Sequence, residues 1–208
     1  RDNDTPVPVG PLLDAVSDFS RLRTPDPLTD GRMPLYLEAV KALRREVGDR
    51  LAVRATGTGP FSLAGHLLGT EKFVMQLAVL EIEPDPAVEQ AIKTLMSICT
   101  ETTARFALRA LEAGADVVQI GDSLASLDMI SPTLYRRWAL PHERMFFEQV
   151  RPAAEARGGL GLLHICGDTT EILPDMAATG AHILEVDWKV DLAGAACAVD
   201  RRVALMGN

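Results

Sequence analysis

Apolar residues recur along this chain with two periods, and the alternation between them predicts its architecture. From residue 35, Tyr36, Val40, Leu43 and Val47 share one face of a predicted helix that Gly48 stops. A second helix opens at Asp85 as cap with Pro86 in its first turn. Val88, Ile92, Leu95, Cys99, Thr102, Phe106 and Ala110 stripe it, and Gly114 ends it. Ser131-Pro132 repeats the same start signal for a helix running to about residue 157. Pro141 lies inside that helix, where its missing N–H and its ring predict a kink. Between these segments are short aliphatic runs, read as strands over 51–55, 116–121, 160–165, 182–187 and 203–206. Residues 169–179 and 192–199 are the helices between the last three.

Strand and helix in alternation imply a parallel sheet with right-handed crossovers. Polar residues gather just past each strand: Thr56, Asp122 with Ser123, His164 with Cys166, Glu185 with Asp187, and Asn208. An open sheet would concentrate such residues at one switch point, whereas a barrel spreads them around its carboxyl rim. The expectation is therefore an α/β fold of the (β/α)8 barrel type. A complete barrel takes roughly 250 residues, so five strands in 208 residues are expected to be an incomplete one. Residues 1–33, with Pro6, Pro8, Pro11, Pro25 and Pro27, read as an irregular N-terminal segment, and 34–208 as the partial barrel.

Composition narrows the function. The chain is 47% hydrophobic, enough for one sizeable core. Its net charge of -8, with no basic block, argues against a nucleic-acid partner. No apolar stretch reaches the ~18 residues of a membrane span. Three cysteines, at 99, 166 and 197, make no disulfide framework and point to a reducing cytoplasm.

The chemistry concentrates in Leu162-Leu163-His164-Ile165-Cys166-Gly167-Asp168. Residues two apart on a strand face the same way, so His164 and Cys166 point together. An imidazole and a thiolate at a strand end suit zinc, and the alternative is a buried cysteine beside a core histidine. Glu185 and Asp187 share a face of the next strand and are candidate carboxylate ligands, or else cap the turn or pair with Lys189. Asp122 follows a buried strand and is a candidate catalytic acid, or caps the turn through Ser123. Ser126 and Asp128 are weaker candidates in the same loop. The Gly57/Gly59/Pro60 loop reads as a tight turn or a backbone-binding turn, and lacks the signatures of a P-loop or dinucleotide site. His66, His142 and His182 read as structural or exposed, and Cys99 and Cys197 as packing residues.

Gly59-Pro60-Phe61-Ser62-Leu63-Ala64-Gly65 resembles the G-P-F-T-L-A segment of the uroporphyrinogen decarboxylase superfamily. Ala113-Gly114-Ala115-Asp116, Asp122, Ser131-Pro132, His164-Ile165-Cys166-Gly167, Val186-Asp187 and Met206-Gly207-Asn208 extend the resemblance. It covers nearly the whole chain from about residue 25 and implies a (β/α)8 barrel. The H-x-C pair is similar to that of the zinc-dependent methylcobamide:thiol methyltransferases of this superfamily. That resemblance implies Zn2+ at His164 and Cys166, with Asp187 near where cobalamin-independent methionine synthase places a glutamate, and a final cysteine ligand beyond residue 208. It implies a corrinoid on a partner protein and a small-molecule thiol substrate. Asp122 and the Gly59 loop, with Ser123 and Asn208, are then candidate cofactor contacts at the rim. Two alternatives remain: metal-free decarboxylation of a tetrapyrrole, and a non-enzymatic corrinoid-binding subunit.

Overall fold

The computed structural model describes residues 10–207, so Pro6, Pro8 and Asn208 lie outside the described residues. Five strands form one parallel sheet in sequential order: β1 (Arg54–Thr58), β2 (Val117–Gly121), β3 (Leu160–Ile165), β4 (Ile183–Val186) and β5 (Ala204–Met206). Strand order never reverses, so there is no switch point of the kind that marks a doubly wound sheet. Helices α1 (Met33–Val47), α2 (Pro60–Leu68), α3 (Thr70–Ile82), α4 (Pro86–Glu112), α5 (Pro132–Leu134), α6 (Leu140–Glu155), α7 (Leu173–Met176) and α8 (Leu192–Ala198) alternate with them. The chain is an incomplete (β/α)8 barrel, as its alternation predicts.

Alternate residues of β1 to β4 enter the core. Ala55, Val118, Ile120, Leu163, Ile165, Leu184 and Val186 are buried in one apolar cluster with Ile92, Leu95, Met96 and Cys99 of α4 and Phe146, Phe147 and Val150 of α6. Leu162 is equally buried but lies outside that cluster, on the sheet's other face. Leu13 and Val16 of the N-terminal segment also enter the cluster, beside a 3₁₀ helix at Val16–Arg21.

Several elements differ from expectation for identifiable reasons. Strand β1 starts three residues late, because Asp116 occupies the amide of Val53 through its carboxylate at 2.7 Å. Its pairing continues through Gly57 opposite Ile120, so Gly57 belongs to the strand rather than to a turn. Tyr36 covers the outer edge of β1, where its Oη accepts the N–H of Thr56 at 2.8 Å. Helix α2 escapes the periodicity argument because Phe61, Ser62, Ala64, Gly65 and Leu68 are all buried, leaving no polar face to set a period. Helix α3 was likewise not anticipated, and it leaves Met75, Val79 and Ile82 exposed. Leu43 of α1 is exposed, and so is Cys197 of α8, which therefore does not pack as expected. Residues 169–179 form a 3₁₀ turn and the single turn α7, not a continuous helix.

The kink expected at Pro141 takes the form of a π-helical turn, Tyr135–Ala139, in which Leu140 N–H donates to Tyr135 O, five residues back. The widened turn accommodates a residue that has no amide proton of its own. It places Tyr135 Oη–H against Glu143 Oε2 at 2.6 Å, with both side chains buried. Next to Glu143 along α6, the ring of buried His142 lies 3.1 Å from Thr100 Oγ1, through Nδ1. The Thr100 hydroxyl already donates to Met96 O, so His142 Nδ1–H is the donor.

Burial pushes the His142 pKa down to about 4 from 6.5. A depressed histidine pKa contributes stability that is complete above the unfolded value and lost as pH falls through the folded one. Melting temperature should therefore decline as pH falls from 6.5 towards about 4. His142→Asn, followed by circular dichroism melts, should flatten that decline; an unchanged slope would show that His142 does not control it.

Candidate functional site

The strand faces turned away from the helix layer carry polar side chains. Arg54 of β1, Gln119 of β2, His164 of β3 and Glu185 of β4 meet there. Arg54 grips Glu185 bidentately, Nη1 to Oε1 at 2.9 Å and Nη2 to Oε2 at 2.6 Å, and its Nε donates to Gln119 Oε1 at 2.5 Å. Gln119 Nε2 reaches Glu185 Oε2 at 3.5 Å. One arginine thus spans from β1 to β4 and holds the carboxylate below the usual glutamate range.

Parallel register puts His164 opposite Glu185, and the period of two puts Cys166 on the same side as His164. His164 Nε2 lies 2.8 Å from Cys166 Sγ. His164 Nδ1 lies 3.1 Å from the backbone oxygen of Glu185 and 3.3 Å from its Oε2. A carbonyl oxygen can only accept, so Nδ1 carries the proton and Nε2 presents its lone pair to the sulfur. Cys166 itself is exposed, whereas Ile165 beside it is fully buried. The pair is accessible and its imidazole is oriented from behind.

Two loops fix the turn that follows. Gly167 has φ of +95°, and a Cβ there would lie 2.3 Å from Asp128 Oδ2, so only glycine fits. Gly167 N–H donates to Asp187 Oδ2 at 2.9 Å, and Lys189 N–H to Asp187 Oδ1 at 3.1 Å. Both oxygens of Asp187 therefore serve the backbone, which lowers its pKa. Asp128 takes Lys189 Nζ at 2.7 Å and Asp168 N–H at 3.3 Å. Ser126 and Asp128 thus line the turn rather than the His164/Cys166 pair. Among the described residues, no group of three or more His, Cys, Asp or Glu side chains converges as a metal cage.

Asp122 is fully buried beneath the rim. Its carboxylate accepts from Phe61 N–H at 3.1 Å and Ser62 N–H at 2.6 Å, at the start of α2, and not from the Ser123 turn. Burial raises its pKa against those hydrogen bonds. Its own N–H donates to His164 O at 2.8 Å, which ties the α2 cap to the strand end bearing the imidazole. Gly59 packs so closely on Asp122 that a Cβ would fall 2.4 Å from its Cγ, while Ser123 is half-buried in a 3₁₀ turn. Asn208 lies outside the described residues. His66 is exposed, and His182 serves the backbone, accepting Gly161 N–H at 2.9 Å. Arg54 and Gln119 were missed in the sequence. Their signal was available: a charged residue opening β1 and an amide mid-strand in β2, in phase with each other, where aliphatic residues dominate.

The uroporphyrinogen decarboxylase (URO-D) family model matches residues 1–208. The chain is 33% identical over 181 residues to the methylcobamide:CoM methyltransferase MtbA of Methanosarcina acetivorans, covering 87% of this chain and 49% of that protein. It is 32% identical over 217 residues to a uroporphyrinogen decarboxylase of Mycobacterium marinum, covering 100% of this chain and 57% of the relative. Among solved structures it is similar to a methyltransferase from Methanosarcina mazei, with a TM-score of 0.78 and 31% identity over 93% of this chain and 54% of that one. The chain spans about half the length of the relatives it matches.

The Gly59–Asp122 contact makes a direct prediction. Gly59→Ala forces a Cβ into the carboxyl that caps α2, an overpacking that should cost about 1–3 kcal/mol. Denaturant unfolding would measure it, and an unchanged midpoint would show that the contact is not restrictive.

Proposed function

The chain belongs to the uroporphyrinogen decarboxylase family, and within it we propose zinc-dependent methyl transfer between a corrinoid held by a partner protein and a thiol. One observation carries the reading. An exposed sulfur and an imidazole lone pair converge 2.8 Å apart at the carboxyl end of a barrel strand. That donor set matches the nitrogen and sulfur preference of zinc, and the second imidazole nitrogen is already hydrogen-bonded as metal-ligating histidines require.

His164 Nε2 and Cys166 Sγ would hold the metal. Zinc there would stabilise a bound substrate thiol as its thiolate at neutral pH. The remaining work belongs to the chain's own residues. Asp187 anchors the Gly167 turn by accepting one backbone N–H at each oxygen, which leaves lone pairs with which it would serve as the carboxylate donor that the resemblance implies. Asp122 enters as a positioning residue, through the hydrogen bond from its amide to His164 O. The half-buried Ser123 is the contact proposed for the flat corrinoid, with Gly59 acting behind it through its packing on Asp122; Asn208, the third residue expected there, lies outside the described residues. His164 and Cys166 alone do not complete a tetrahedral site, and the resemblance implies a further cysteine ligand, expected beyond residue 208. In the reaction the thiol would first lose its proton to solvent, and its sulfur would then form an S–C bond as the methyl–corrinoid bond breaks and leaves its electron pair on the corrinoid. Three free cysteines fit a reducing, cytoplasmic setting.

The mycobacterial relative supports a second reading, metal-free decarboxylation of a tetrapyrrole with Asp122 as the acid. The complete burial of Asp122 weighs against it.

In the full chain, His164→Ala and Cys166→Ala should each lose bound zinc and thiol methylation while circular dichroism stays that of the parent. Normal metal content in either variant, by elemental analysis, would remove that residue from the ligand set. Metal-free decarboxylation of uroporphyrinogen by the parent would favour the second reading.

A further inference from the structure

We infer that Glu185, locked by Arg54 and Gln119, is a positioning residue that fixes the tautomer and ring orientation of His164. The functional consequence rests on the zinc reading above, but the geometry does not depend on a metal.

Glu185 contacts His164 twice, through its backbone oxygen at 3.1 Å and its carboxylate Oε2 at 3.3 Å, both at Nδ1. The backbone contact exists because β3 and β4 pair with His164 opposite Glu185. The carboxylate contact exists because Arg54 pulls the side chain back across the sheet. Without the arginine, a glutamate on a strand flanked by Leu184 and Val186 is free to turn toward solvent. With it, three donors converge on Oε2: Arg54 Nη2 at 2.6 Å, Gln119 Nε2 at 3.5 Å and His164 Nδ1 at 3.3 Å. Arg54 Nη1 also touches Met206 Sδ at 3.8 Å, so the guanidinium is held from β2, β4 and β5 at once. Its planar fork suits this bidentate, multi-strand role in a way that a lysine ammonium does not. Side-chain exposure is 34% for Arg54 and 18% for Glu185, so the guanidinium still meets solvent while the carboxylate is largely covered. The polar plate so formed has fully buried Leu162 beside it on the same face of β3.

The result is directional. An imidazole in water exchanges between two neutral tautomers and rotates about its side-chain bonds. Here one nitrogen is committed to β4, and the other must present its lone pair to Cys166. Carboxylate–histidine pairs of this kind raise ligand basicity and hold the ring in the geometry that a metal needs. Neither Arg54 nor Glu185 touches the donors' open side, so neither is a catalytic residue.

Two measurements on the full chain test this. In the metal-free protein, long-range 15N correlation spectra should show His164 wholly as the Nδ1–H tautomer. Glu185→Gln, which keeps the shape and removes the charge, should yield a tautomer mixture; Arg54→Lys should do the same to a smaller degree. Zinc affinity, by competition with a chelator, should fall roughly 10–100-fold in Glu185→Gln, with circular dichroism unchanged. A wild-type tautomer spectrum in both variants would overturn the inference, whatever the zinc result. If the parent binds no zinc yet its tautomer responds to Glu185→Gln, the positioning role stands and the zinc reading falls.

Discussion

The hydrogen bond between His164 Nδ1 and the backbone of β4 is the constraint on which the site depends. Together with the Glu185 carboxylate contact at the same nitrogen, it fixes which nitrogen is protonated, and hence which one can face a metal or a sulfur. The bond is set by parallel register, which places His164 opposite Glu185. A one-residue slip of β4 would turn its alternate side chains to the other face and remove the carboxylate with them. Strand pairing therefore brings the two residues together, and the Glu185 side chain completes the contact.

That register is held by the opposite face of the sheet. Val118 and Ile120 of β2 are buried on the side of α4, Leu163 and Ile165 of β3 on the side of α6, and Leu184 and Val186 of β4 in the same apolar cluster. Each such side chain contributes roughly 1.5–3 kcal/mol when fully buried, far more than an exposed ion pair returns. The polar face can thus carry Arg54, Gln119 and Glu185 because the apolar face has already settled the strand order. At the rim the constraint changes in kind: Gly59 and Gly167 sit where a Cβ would collide with Asp122 and Asp128. Close approach of loops, rather than apolar burial, holds the strand ends in place.

Much of this was legible in the sequence. The alternation of strand and helix indicated parallel strands, and the period of two indicated that His164 and Cys166 face the same way. Asp85 and Ser131 were readable as caps, and each side chain does accept from its helix's first turn. What escaped was long-range. Arg54 meets Glu185 across 131 positions of sequence, a distance at which no local pattern speaks. The α2 cap offered by Asp122 lies 60 residues upstream of it, so sequence reading looked to its neighbour Ser123 instead. Asp187 looked like a ligand from its place past the strand, and only the Gly167 and Lys189 amides show how its oxygens are used.

The central claim is that His164 and Cys166 bind one ion together. Zinc-edge X-ray absorption on the full chain loaded with a single equivalent of zinc tests it most directly. The account predicts a first shell containing sulfur at about 2.3 Å together with imidazole nitrogen at about 2.0–2.1 Å. A shell of oxygen and nitrogen alone, with no sulfur, would contradict it.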